Sequence, residues 1–146
     1  MKKTLPVLFA LLLITSFFAY DSHAQMPQKG SKNTMTLPNG DVIWDLNGEW
    51  DTFTEHLGAW SHLGSYPGMM KITQTGSSLV GIRMVDTPNA LKGSEGLRGE
   101  LDKGGFNKVQ LIAPFGPLPS SGQISEDGNK IKIESGPNLR TTCTRK

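Results

Sequence analysis

The sequence predicts an all-β fold, an eight-stranded antiparallel up-and-down barrel, with a β-sandwich as the alternative architecture. Three observations predict it. From residue 46 onward the hydrophobic period is two. Short turn signals (Thr75-Gly76-Ser77, Asp102-Lys103-Gly104-Gly105 and Glu126-Asp127-Gly128-Asn129) separate the alternating runs. Three longer connections, at 56–68, 86–94 and 114–120, follow the first, third and fifth runs, whereas the tight turns follow the second, fourth and sixth. In up-and-down order this sorting sends the long loops to one end and the tight turns to the other. An open mouth and a closed base result. A two-sheet sandwich does not require such sorting.

The elements follow in order. Residues 1–24 read as a signal peptide: Lys2 and Lys3 open it, an apolar stretch fills 5–19, and Ser22-His23-Ala24 offers a small-x-small cleavage site before Gln25. The apolar stretch is shorter than the roughly 20 residues of a membrane span. No membrane span is expected after cleavage, and the chain is expected to be exported, to the periplasm or the extracellular space. Residues 25–45 form a polar N-terminal lead-in expected to be flexible, with an apolar patch at 41–45 that packs under the domain. The barrel domain spans 46–146.

Its strands are predicted at 49–55, 69–74, 78–85, 95–101, 106–113, 121–125, 130–134 and 139–145. Alternation places Met70 and Ile72 inward, then Val80, Ile82 and Met84 with Arg83 outward, then Leu97 and Leu101, and Val109 and Leu111. Ile131 and Ile133 follow, then Leu139, Thr141 and Cys143.

Closure sets the last strand antiparallel to the first. Arg145 then lies beside Trp50 on the inward face, where a guanidinium can stack on the indole. Gly48, Trp50 and Arg145 together resemble the signature of the calycins, the superfamily of lipocalins, fatty-acid-binding proteins and avidins. In these a Gly-x-Trp on the first strand is crossed by a cation from the last. The resemblance covers about 46–146, and the chain looks like a lipocalin-like exported bacterial protein. Its strands are short for a lipocalin, no counterpart of the usual disulfide exists, and the avidin biotin-site pattern is not recognisable. The resemblance implies a ligand cavity, although the superfamily also includes inhibitors that bind proteins.

Composition narrows the function. The leader holds two of the 15 basic residues and one of the 13 acidic ones, so the mature chain is near neutral. It has no basic cluster of the kind nucleic acid binding needs. The single cysteine, Cys143, cannot form an internal disulfide, and alternation buries it. His56 and His62, with Glu55 beside them, are too few for a zinc site. The strand carboxylates Asp51 and Glu55 point outward, and Ser61 beside His62 is adjacency rather than a triad. No enzymatic activity, cofactor or metal is expected, and the protein is expected to be a monomer.

The expected site is the long-loop end. Trp60, Tyr66 and Phe115 would line a pocket for a small, largely apolar ligand, with His62 or Arg83 as its polar handle. The alternative is a protein-interaction module, such as a secreted inhibitor, that uses the same loops against a protein partner. An open cavity favours the first and a filled interior the second.

Overall fold

The computed structural model describes residues 26–146; the expected leader at 1–24 lies outside the described residues. Among these residues ten strands and one 3-10 helix follow one another. They are β1 (Thr34–Thr36), β2 (Val42–Trp44), β3 (Gly48–His56), the 3-10 helix (Gly58–Leu63), β4 (Ser65–Thr75) and β5 (Ser78–Arg83). Then come β6 (Glu95–Asp102), β7 (Gly105–Ala113), β8 (Gly116–Ile124), β9 (Lys130–Ser135) and β10 (Leu139–Arg145). Strands β3 to β10 form one closed antiparallel barrel in sequence order, and β10 pairs back onto β3. The architecture is therefore the up-and-down barrel, not the sandwich.

Alternation explains most of the packing. In β9, Ile131 and Ile133 are fully buried while Lys130 and Lys132 face solvent. Trp50, Ile72, Leu79 and Cys143 join them, so the lower half of the barrel, toward the tight turns, is a packed apolar core. Arg145 pairs with Trp50 in the ladder, and its guanidinium carbon sits 4.4 Å from the indole centroid. The same guanidinium donates to Asp45 O at 2.7 Å, Asn47 O at 2.8 Å and Gly128 O at 3.1 Å. It thus ties the chain before β3 to the turn after β8.

Three expectations are corrected. The segment 25–45, expected to be a flexible lead-in, carries the β1–β2 hairpin, in which Met35 pairs with Ile43. Its apolar residues have a place to go: Ile43 and Trp44, followed by Leu46 at the start of the barrel domain, are buried against the barrel base. Gln74 holds them there. Its side-chain oxygen accepts from Leu46 N at 2.8 Å, and its amide nitrogen donates to Trp44 O at 2.9 Å. Gly128, at φ +71, packs against the Trp44 indole from the β8–β9 turn; a Cβ there would stand 2.9 Å from that ring.

The face of β5 is also opposite to expectation. Leu79, Gly81 and Arg83 point inward, paired with the inward Gln74, Ile72 and Met70, and Val80 is outside. The cause is volume. A Cβ at Gly81 would overlap Met70 Sδ and stand 3.1 Å from Leu97 Cβ, so only glycine fits that inward position.

The third correction concerns 114–120, which is not a long loop. A two-residue turn, Pro114-Phe115, leads directly into β8. Pro117 and Pro119 alternate outward in the first half of that strand, which pairs with β7, whereas β9 pairs only from Ser121 onward. This stretch is a sheet edge, where a residue without an N–H is tolerated. Two long connections therefore crown the mouth, the 3-10 helix and residues 84–94.

Cys143 is fully buried, and burial pushes its thiol up to about 12. A folded-state value above the unfolded one gives stability that is present below the unfolded value and lost as pH rises toward the folded one. From 9.0 to about 12 the wild type should lose stability faster than Cys143→Ala, by up to ~1.4 kcal/mol per pH unit. Denaturant midpoints of the two proteins across that range check this; parallel curves would contradict it.

Candidate functional site

The upper half of the barrel is not filled. A cavity of about 230 Å³ opens toward the mouth. Its wall from β3 and β10 is lined by hydroxyls, with Thr54 Oγ1 and Thr141 Oγ1 3.1 Å apart. Leu111 and Ala113 of β7 form an apolar wall opposite, and Met70 of β4 and Leu139 of β10 also line the cavity.

The 3-10 helix brings Trp60 over this space. It is positioned by Asn138 of the β9–β10 connection, whose carbonyl accepts from Leu57 N at 2.8 Å and whose side chain accepts from Ala59 N at 3.2 Å. Trp60 meets Phe115 edge to face, with ring centroids 6.3 Å apart. The two rings come from opposite sides of the mouth. Tyr66, near the start of β4, lines the cavity below them.

Of the four residues expected at the site, Trp60, Tyr66 and Phe115 line the cavity, and His62 does not. The His62 ring turns back on its own helix, Nδ1 donating to Ala59 O at 3.1 Å, and stays exposed. The histidine in the cavity is His56, the last residue of β3. Its Nδ1 lies 2.7 Å from Gly64 O. A carbonyl only accepts, so Nδ1 carries a proton and donates it to Gly64 O. The parity that buries Trp50 also carries His56 inward; ending the strand at residue 55 hid it.

Arg83 is a second polar group of the cavity, and alternation placed it on the outer face. It is half-buried and lines the cavity. Burial lowers its pKa from the ordinary arginine value, with Tyr66 acting in the opposite sense. A bulge opposite Gly81 and Ile82 admits it: the ladder skips Gly96, so Gly96 and Leu97 both turn inward. A Cβ at Gly96 would stand 3.4 Å from Arg83 Cζ and 2.8 Å from Met70 Cε.

Among the described residues no group of three or more His, Cys, Asp or Glu side chains converges as metal ligands would. No helix among them is long and apolar enough to cross a membrane.

A closed eight-stranded antiparallel barrel, packed at one end and hollow at the other, defines a class of protein built around an internal cavity. With Trp50 beneath Arg145 it is compatible with a calycin-like fold. Compared with family models, with curated proteins and with solved structures, the chain matches none.

Proposed function

We propose that this is an exported, lipocalin-like binding protein that holds a small, largely apolar molecule in the mouth cavity and performs no chemistry on it. The observation that carries this reading is the contrast between the packed base and the hollow of about 230 Å³ under Trp60 and Phe115. An apolar cavity of about 150 Å³ accommodates benzene. This one suits a substituted ring or a short acyl chain, and a long-chain lipid would protrude past the rim. Burial would contribute roughly 25 cal/mol per Å² before ordering costs. Export rests on the leader features at 1–24.

Titration calorimetry against single-ring and short-chain molecules tests the reading. Phe115 is 73% exposed, so Phe115→Ala should change stability by less than about 0.5 kcal/mol. It should nevertheless weaken the ligand by roughly 1 kcal/mol, through lost contact at the mouth. A panel with no binder would overturn the proposal.

One observation favours the protein-interaction reading. Leu63, Leu91 and Phe115 are 51%, 73% and 73% exposed beside or near the mouth, a rim that another protein could cover. A protein recovered with the barrel from its native compartment, and lost in Phe115→Ala while the cavity stays empty of ligand, would favour that reading instead.

A further inference from the structure

The cavity carries one permanent charge, and nothing on its walls answers it. Among the described residues Arg83 is the only Asp, Glu, Lys or Arg side chain lining it. Of the five N–H groups on its guanidinium, those of Nη1 donate to Ser94 Oγ at 3.1 Å and to Glu95 O. Nη2 donates to Ile112 O at 2.7 Å. These acceptors are a hydroxyl and two carbonyls, so they orient the guanidinium without neutralising it. The carboxylate of Glu95 is engaged elsewhere. Arg98 grips it from outside, through Nε at 2.7 Å and Nη2 at 2.9 Å. Among the described residues no carboxylate comes within ion-pair distance of Arg83.

Two donors remain, one on Nε and one on Nη2, with no acceptor among the described residues. A half-buried cation without a counter-charge is costly to hold. Arg145 at the base shows how this fold otherwise settles an arginine, with Asp45 and Asp127 near enough to act on its charge and an indole under its plane. Arg83 has neither. It has instead a hollow, and a bulge glycine that leaves its guanidinium room.

We propose that the cavity selects a small monocarboxylate, with the carboxylate on the two free donors of Arg83 and the apolar body under Trp60 and Phe115. This rests on the small-ligand reading above and names its chemical class. Two donors on one planar group match two carboxylate oxygens, the pairing at which a guanidinium is strongest. The Tyr66 hydroxyl on the same wall is a further donor. A cationic head group would meet Arg83 head-on, and a neutral one would leave its charge unanswered.

The test compares heads on one tail. Octanoate, octan-1-ol and octylamine, with their hexyl counterparts, are titrated into the wild-type protein by calorimetry. Octanoate or hexanoate should bind at least about tenfold more tightly than the alcohol of equal length, and the amine should not bind. In Arg83→Gln the acid should fall to the level of the alcohol, while Arg83→Lys should keep part of the preference. Alcohol and acid binding equally in wild type would overturn this inference and leave the small-ligand reading standing. No binding by any head group at either length would count against both. Because the wild-type comparison decides, the outcome stands even if Arg83→Gln loosens the 84–94 connection.

Discussion

Replacing Trp50 with alanine is expected to cost about 3–5 kcal/mol of stability, a large share of what a domain of this size has. Trp50 is fully buried, its Nε1 donates to Leu46 O at 3.0 Å, and Arg145 lies across its face. Removing the indole opens a cavity in the packed base and leaves a buried carbonyl unpaired. It also strips the half-buried guanidinium of its platform. Urea unfolding of Trp50→Ala, Arg145→Met and the double variant measures the total and the coupling. The pair should couple by roughly 0.5–2 kcal/mol. A loss below about 1 kcal/mol for Trp50→Ala would contradict the role given to it.

The second large effect should come from Gln74→Leu. The substitution is close in volume and more apolar, so burial alone predicts little change. The hydrogen bonds predict otherwise. Leu46 N and Trp44 O both lose their partner in a dry interior, at a cost of about 2–4 kcal/mol together. The effect should also be local. Gln74 joins the barrel to the N-terminal hairpin, so amides of β1 and β2 should exchange faster with solvent than those of β6 or β7. A uniform rise across the chain, or no rise, would show that the hairpin holds to the base without Gln74.

These two predictions rest on parts of the molecule with very different legibility. The Trp50–Arg145 contact is readable because parity and up-and-down order determine which residues of β3 and β10 face each other. Gln74 is hidden, since a glutamine at an inward position carries no hydrophobic signal. The same limit explains β5. Val80, Ile82 and Met84 outweigh Leu79 and Gly81 in apolar character, yet the glycine goes inward because Met70 and Leu97 occupy its volume. Packing complementarity between neighbouring strands has no signature within any one of them, and Arg83 followed the wrong face.

The mouth was partly legible for a related reason. Trp60, Tyr66 and Phe115 stood out as aromatics beside turn signals, and all three stand around the cavity. Pro117 and Pro119 read as loop because prolines break ladders, but an edge half-strand accepts them. The N-terminal segment read as flexible from its polarity. Much of that polarity is turn chemistry, as where Asp41 N donates to Asn39 Oδ1 at 3.0 Å between β1 and β2.

The pairing of β10 with β3 has a consequence for how the chain comes to be folded. The bonds that close the base join Arg145 to Asp45, 100 positions apart, and every earlier strand pair is a local hairpin. Hairpins can form as the chain emerges, but the ring cannot shut until its last strand is present. Until then β3 and β9 each offer a bare row of N–H and C=O groups to any strand nearby. The vulnerable moment of this molecule is thus the interval before residues 139–145 arrive, and those few residues decide whether the sheet seals on itself or adds to a neighbour.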